Sequence, residues 1–174
     1  MRNPGFPAVD PVIPLTRPRP GCHHRKPVGE ASCPWTVGTG DDGAAKLNTI
    51  ACATADGRSF AVTGYFGGAV SGRARVEPVP RIWDLTRRRP EPVPLLGHTG
   101  WVTATAFTVR GGRPVAVTGG QDASVKLWDV DGTCLATLEM PASVSRLAVA
   151  ESGELAVVVR SGDLIVMEPA WEKL

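Results

Sequence analysis

Hydrophobic residues in this chain come in short runs rather than in long periodic stretches. Beyond residue 35, apolar runs rich in Val, Ala, Thr and Leu are separated by turn signals that contain Gly. Within 102–107, Val and Ala alternate with Thr and Phe, which is the period of two expected of a strand in a sheet. No stretch keeps a helical period for long without a Gly or a Pro. The pattern predicts an all-β protein built from many short strands.

Part of the chain repeats itself. Residues 57–64 and 112–119 are identical at six of eight positions, and 81–85 resembles 126–130 around a shared Trp-Asp. The offsets of the two matches are 55 and 45 residues, so the first unit carries about ten extra residues. These extra residues lie within 65–80, where the composition predicts a loop. The repetition indicates one sheet unit that is used more than once.

The second unit is the more complete of the two. It begins with Gly97-His98 and reaches Trp128-Asp129 about 30 residues later, in a unit of about 40–45 residues. A Gly-His and a Trp-Asp at this spacing resemble the WD40 repeat. The resemblance covers 36–168 and is strongest over 50–140. It implies a partial β-propeller of about three blades, each blade a four-stranded antiparallel sheet.

The resemblance divides 35–174 into three blades. The best blade spans 97–140, with strands expected at 101–108, 114–119, 124–130 and 133–139. The blade at 36–96 is degenerate, because it lacks the Gly-His and carries the insertion 65–80. The last, partial blade spans 141–168 and has Met167 near the position of the Trp. This incomplete set suggests a truncated or C-terminal fragment of a propeller.

The resemblance also gives four polar side chains a structural role. In the family, a His, a Ser or Thr, an Asp in a tight turn and the Trp form a hydrogen-bonded network, and the matching residues here are His98, Thr118, Asp122 and Trp128. A buried indole N–H only donates and a buried imidazole needs partners, so the set is chemically consistent. His, Asp and Thr together could instead form a hydrolase triad. The chain has no Gly-x-Ser-x-Gly elbow, so we expect no catalytic residues.

Composition sets the N-terminal segment apart. Residues 1–34 hold eight of the 16 prolines of this 174-residue chain, which predicts a disordered, basic tail without a packed core. A metal site formed by Cys22, His23, His24 and Cys33 is disfavoured by their spacing. No segment has the pattern of a phosphate-binding loop. We therefore expect neither a metal nor a cofactor.

Net charge and hydropathy indicate which classes of partner and which cellular location to expect. The net charge of +2 favours neither a nucleic-acid nor a membrane partner. No apolar run is long enough for a membrane span, and the N-terminus lacks the features of a secretory signal. We expect a cytoplasmic protein.

The expected function follows from the family resemblance. WD40 propellers bind other proteins through a face built from the start of the inner strands and the tight turns, which makes Trp101 and Gln121 the expected contact residues. The predicted function is a non-catalytic protein–protein interaction scaffold, and self-association is a way to close the incomplete propeller. Two alternatives stay open. One is an accessory or sensor module of a larger signalling enzyme, such as a kinase or a nucleotide-binding regulator, and the other is a degenerate gene product.

Overall fold

The computed structural model describes residues 15–16, 36–37, 46–66, 79–87 and 91–171. These residues form antiparallel sheets almost throughout. The strands are β1 (Leu15–Thr16), β2 (Thr36–Val37), β3 (Lys46–Ala55), β4 (Arg58–Phe66), β5 (Arg81–Asp84), β6 (Val93–Pro94), β7 (Val102–Arg110), β8 (Arg113–Gly120), β9 (Ser124–Trp128), β10 (Cys134–Glu139), β11 (Val144–Val149), β12 (Leu155–Val159) and β13 (Leu164–Met167). The predicted all-β class is confirmed.

Three sheets are meanders in which each strand pairs with the next one along the chain. We call them sheet 1 (β3 to β6), sheet 2 (β7 to β10) and sheet 3 (β11 to β13). The strands of sheet 2 lie within two residues of the bounds predicted for the best unit. Sheet 3 has three strands in the part of the chain that the structure describes, one fewer than a four-stranded blade. A separate two-residue ladder joins β1 to β2.

The repeated sequence folds into a repeated register. Ala61 pairs with Trp83 in sheet 1 as Ala116 pairs with Trp128 in sheet 2. In sheet 3 the corresponding pair is Leu155 with Met167. Residues that occupy the same register position in different sheets are called equivalent below. Met167 is therefore equivalent to the two tryptophans.

A β-bulge lies at the same place in the first strand of each sheet. The register shifts at Asn48 in β3, at Thr103 in β7 and at Ser145 in β11. Two of these residues reach the following sheet: Asn48 Nδ2 donates to the Val102 carbonyl at 3.5 Å, and Thr103 Oγ1 donates to the Val144 carbonyl at 2.5 Å. Since a bulge leaves one residue outside the ladder, its side chain is available to link neighbouring sheets.

Two-residue turns join the first two strands of sheets 1 and 2. Asp56 and Gly57 connect β3 to β4, and Gly111 and Gly112 connect β7 to β8, all four with positive φ. Two consecutive positive φ values are the mark of the type I′ turn, whose twist matches that of the strands it joins.

The apolar cores lie between the sheets. Between sheets 1 and 2, Ile82 and Val62 pack with Ala116 and Trp128. Between sheets 2 and 3, the core consists of buried aliphatic side chains such as Leu127, Val125, Val144, Leu155 and Val157. Each sheet therefore buries one face of the next, which holds the three meanders together.

Close approach of the sheets depends on two equivalent glycines. A Cβ placed on Gly119 would lie 2.5 Å from Val144 Cγ1 and 2.9 Å from Leu147 Cδ2. A Cβ placed on Gly64 would lie 2.9 Å from Val102 Cγ1. Both valines belong to the following sheet, so only glycine leaves room for that sheet at this spacing.

The structure differs from the expectation at the start of the insertion. β4 continues to Phe66, so Tyr65 and Phe66 belong to a strand rather than to the predicted loop 65–80. Tyr65 is buried, with 2% of its surface exposed. The remaining insertion and most of the tail 1–34 lie outside the described residues, so the prediction of a disordered tail stays a prediction.

We predict that Gly119→Ala destabilises the fold by about 1–3 kcal/mol, because its methyl group forces sheet 3 away from sheet 2. Val158 is the equivalent residue in sheet 3. Val158→Ile also adds one carbon, and it should change the free energy of unfolding by less than about 0.5 kcal/mol, since no described sheet follows. Urea unfolding of both variants measures the difference. Equal effects would contradict the proposed role of Gly119.

Candidate functional site

The best-defined polar cluster lies at the turn between β8 and β9. Asp122 occupies this turn, and its Oδ1 accepts hydrogen bonds from Ser124 Oγ at 2.9 Å and from the Ser124 backbone N–H at 3.3 Å. Ala123 between them has a φ of 57°. A short polar side chain that bonds to the backbone two residues ahead stabilises such a turn. The local sequence therefore fixes the position of the Asp122 carboxylate.

The structure brings all four predicted network residues together. His98 Nδ1 lies 2.9 Å from Asp122 Oδ2, and His98 Nε2 lies 2.8 Å from Thr118 Oγ1. Trp128 Nε1 donates to the same Thr118 Oγ1 at 2.8 Å. The His98 and Asp122 side chains are 2% and 8% exposed. We call these four residues the His98 network.

The donors and acceptors of the network fix the direction of its hydrogen bonds. The Asp122 carboxylate only accepts, so His98 Nδ1 carries the proton and donates to it. In a neutral imidazole Nε2 is then unprotonated and accepts from the Thr118 hydroxyl, whose oxygen accepts the indole N–H of Trp128. The network thus runs from Trp128 through Thr118 and His98 to Asp122, and it is fully satisfied with a neutral imidazole.

Two further residues complete the surroundings of the carboxylate. The Thr99 backbone N–H donates to Asp122 Oδ2 at 2.9 Å, and Ser124 contributes the hydroxyl already described. Sequence reasoning did not select either residue. The Asp-x-Ser spacing was an available signal for Ser124. The contact from Thr99 depends on how the segment after His98 folds, and no local motif indicates it.

Gly120 makes room for the His98 network. A Cβ at this position would lie 2.8 Å from His98 Nδ1 and would also collide with Asp122 Oδ1. In sheet 1 the equivalent residue is Tyr65, which pairs with Leu47 as Gly120 pairs with Val102. Sheet 1 has no equivalent of the His–Asp pair among the described residues. Tyr65 therefore occupies the position that is Gly120 in sheet 2, where the His98 imidazole and the Asp122 carboxylate lie over the glycine.

The other two sheets keep less of the network. In sheet 1, Trp83 Nε1 donates to Thr63 Oγ1 at 2.9 Å, which repeats the bond between Trp128 and Thr118. In sheet 3, the residues equivalent to Thr118, Gly120 and Trp128 are Val157, Val159 and Met167. Sheet 3 therefore replaces the polar set by apolar packing.

Burial and hydrogen bonding shift both ionisable groups of the network. Burial lowers the pKa of His98, and this effect outweighs the hydrogen bond and the charge of Asp122, which raise it. Burial raises the pKa of Asp122, but the hydrogen bonds from His98, Thr99 and Ser124 outweigh it and the net pKa lies below the ordinary value. Both directions agree with a neutral imidazole beside an ionised carboxylate.

The order of groups in the network is also that of a hydrolytic triad. Asp122, His98 and Thr118 are arranged as carboxylate, imidazole and hydroxyl, at hydrogen-bond distances. Thr118 has no exposed surface, and its oxygen already accepts the indole N–H of Trp128. A nucleophile needs access to its substrate, and this hydroxyl has none. The arrangement is suited to holding the turn in place.

Trp101 and Gln121, the expected contact residues, lie side by side at one edge of sheet 2. The Gln121 backbone N–H donates to the Trp101 carbonyl at 2.9 Å, and Trp101 is 38% exposed. Sheet 3 repeats the arrangement, with the Arg160 backbone N–H donating to the Ser143 carbonyl at 2.8 Å. Ser143 Oγ also donates to the Gln121 carbonyl at 2.8 Å. We call these four residues the Trp101 edge.

Sequence reasoning did not find Ser143 and Arg160. They lack the Gly-His and Trp-Asp signals, and their equivalence to Trp101 and Gln121 appears only from the strand register. Gly100 keeps this edge tight, since a Cβ there would lie 2.8 Å from the Asp122 backbone nitrogen. The network and the edge are therefore two sides of the same turn.

Within the described ranges, no three His, Cys, Asp or Glu side chains come together as a metal site requires. Cys22, His23, His24 and Cys33 lie outside those ranges. No described helix is long and apolar enough to span a bilayer. A scan against protein-family models finds no match to this chain, and a search of curated proteins finds no relative.

We predict that Asp122→Ala and Thr118→Val each lower the free energy of unfolding by about 1–3 kcal/mol, since each strands a buried partner. The double variant should lose less than the sum of the two, because both residues act through His98. Thr108→Val makes the same chemical change on β7, away from the network, and should cost less than about 0.5 kcal/mol. Chemical denaturation of the four proteins gives the comparison. Strict additivity, or no loss from Asp122→Ala, would show that the network does not act as a unit.

Stability should also fall as the solution is acidified. The folded pKa of His98 lies below its value in the unfolded chain, so the unfolded chain takes up a proton first as pH falls. The contribution is complete above about pH 6.5 and declines below it, and the lowered pKa of Asp122 adds a second loss below about pH 4. Melting temperatures between about pH 7.5 and 5 measure the first decline. His98→Gln should flatten it, whereas a wild-type protein that becomes more stable on acidification would contradict the neutral imidazole.

Proposed function

We propose that the chain is a segment of a WD40-type β-propeller that acts as a protein–protein interaction scaffold. The repeated strand register supports this proposal, together with the equivalent bulges and the complete His98 network in sheet 2. A ring of 4–8 such sheets is the usual form of this architecture. The three described sheets correspond to about three blades.

The Trp101 edge carries the functional part of the proposal. It combines a half-exposed indole with an amide, a hydroxyl and a guanidinium, so it offers apolar area and both donors and acceptors. Trp and Arg are the side chains most often found at the energetic centre of protein interfaces. The rigid turn held by Asp122 orients this edge before a partner arrives, which reduces the entropy lost on binding.

A non-catalytic role agrees with the burial of the only triad-like arrangement that we identify in the described residues. Thr118 is enclosed, and the polar groups of the network are satisfied by one another. The sequence composition is in keeping with a cytoplasmic location. The proposed module therefore binds a protein and changes no covalent bond.

We predict that Trp101→Ala abolishes capture of a specific partner, whereas Val109→Ala preserves it. Val109 is a matched control, since it has the same 38% exposure and lies at the opposite end of β7. The measurement is affinity capture with chemical cross-linking from the source cells, followed by direct binding of the captured protein. A loss of about 30-fold or more on Trp101→Ala is expected of an interface centre.

Circular dichroism of both variants establishes that each is folded. The proposal fails if no captured protein distinguishes Trp101→Ala from wild type. It also fails if Val109→Ala weakens binding of the same protein to the same extent.

A further inference from the structure

Sheet 3 has one packed face and one open face. Leu147, Val157 and Ile165 lie on the face that packs against sheet 2. By strand alternation the neighbouring residues point the other way. We call this opposite side the outer face of sheet 3; its residues are Arg146, Val158 and Leu164 in one row across the strands, and Ala148, Ala156 and Val166 in the next.

The outer face exposes large apolar side chains that are buried in the preceding sheet. Leu164 and Val166 are 64% and 61% exposed. Their equivalents in sheet 2 are Val125 and Leu127, which are fully buried because sheet 3 covers them. An exposed apolar patch on a regular sheet indicates an interaction surface.

The same face is unsuited to another sheet at the spacing found inside the molecule. Gly64 and Gly119 allow the close approach of the following sheet, but their equivalent on the outer face is Val158. At the paired position on the first strand, Thr49 and Ala104 meet the following sheet with small side chains, and their equivalent on the outer face is Arg146. A further sheet at this spacing would meet both side chains, so sheet 3 ends the packed series of the proposed propeller segment and the occupant of its outer face approaches differently.

The charges on this face are arranged at its two ends. Arg146 is exposed in the row at one end. Glu154 directly precedes β12, two rows away, and is also exposed, with the Ala150 backbone N–H donating to its carbonyl at 2.9 Å. Its carboxylate accepts a hydrogen bond from the Ser152 hydroxyl and lies near the guanidinium of Arg110. Four residues of strand separate Val158 from Glu154, or about 13 Å. The face is therefore basic at one end, apolar in the middle and acidic at the other end.

We propose that the outer face of sheet 3 binds the same face of a second copy of this chain, related by a two-fold axis. If the axis runs across the strands through Ala148, Ala156 and Val166, the row of Arg146 in one copy lies over the row of Glu154 in the other. The central rows of Ala148, Ala156 and Val166 then cover each other, and Arg146 of each copy lies beside Glu154 of the other at both ends. A face with this pattern is complementary to itself, as a two-fold interface requires.

The interface is small. Each copy contributes only three short strands to the interface, so the buried surface falls below the roughly 800 Å² per partner of a standard interface. The dimer is therefore weak, and its population depends on protein concentration between the micromolar and submillimolar ranges. This association is distinct from closing a ring of blades, and it uses neither Trp101 nor the His98 network.

The first test is sedimentation of the purified chain over that range, with Val166→Lys and Val109→Lys as matched variants. We expect a monomer–dimer equilibrium that Val109→Lys leaves unchanged and Val166→Lys weakens at least about tenfold, since it buries an unpaired charge. Both valines are exposed in the monomer, so neither change should disturb folding. A monomer at every concentration, a dimer indifferent to Val166→Lys, or assembly beyond the dimer would each overturn the proposal.

The second test uses charge reversal. Arg146→Glu and Glu154→Arg each place like charges across the two-fold axis and should weaken self-association. Mixed together they should form a heterodimer more readily than either variant dimerises alone, because both contacts then join opposite charges. A heterodimer no tighter than the homodimers would refute the two-fold arrangement.

The tests of self-association are independent of the test of partner capture. Val166→Lys should retain the partner that depends on Trp101, and Trp101→Ala should retain the dimer. Either proposal can therefore fail while the other stands.

Discussion

A neutral imidazole that links a carboxylate to a hydroxyl organises the central sheet of this protein. His98 comes from the segment that precedes the first strand, Thr118 lies on the second, Asp122 in the turn after it and Trp128 on the third. Each group is buried, and each satisfies the next. Removing one member leaves another desolvated without a partner, so the four behave as one structural unit rather than as separate bonds. The position of the Trp101 edge depends on the turn that this unit holds.

Equivalent positions in the three sheets are filled by chemically different side chains. In sheet 2, the His98 network fills the space over Gly120, between the second strand and the segment that precedes the first strand. Sheet 1 keeps only the bond from Trp83 to Thr63 and places Tyr65 where Gly120 would be. Sheet 3 uses Val157, Val159 and Met167 at the same positions, and all three side chains are apolar. The backbone register persists although the side-chain chemistry changes, because register is set by which face of each strand is buried.

Much of sheet 2 could be predicted from sequence, since its signals are local. Strand alternation, the Gly-Gly turn and the spacing from His98 to Trp128 all lie within one short unit. The extension of β4 to Phe66 could not be predicted, because Gly67 and Gly68 directly after it suggested a loop, and no local pattern indicates that Tyr65 is buried. Ser143 and Arg160 were missed for a similar reason: only strand pairing makes them equivalent to Trp101 and Gln121. The open face of sheet 3 also emerges only when its residues are compared with buried equivalents.

If His98 is a neutral imidazole with a defined tautomer, nitrogen NMR of its ring detects that state without altering the protein. With ¹⁵N-labelled histidine, long-range proton–nitrogen correlations distinguish a protonated ring nitrogen from an unprotonated one. We expect that, at neutral pH, Nδ1 of His98 carries the proton and Nε2 accepts from Thr118. This state should persist to a lower pH than in an exposed histidine. An imidazolium at neutral pH, or a neutral ring protonated at Nε2, would show that His98 does not link Asp122 to Thr118 in this way.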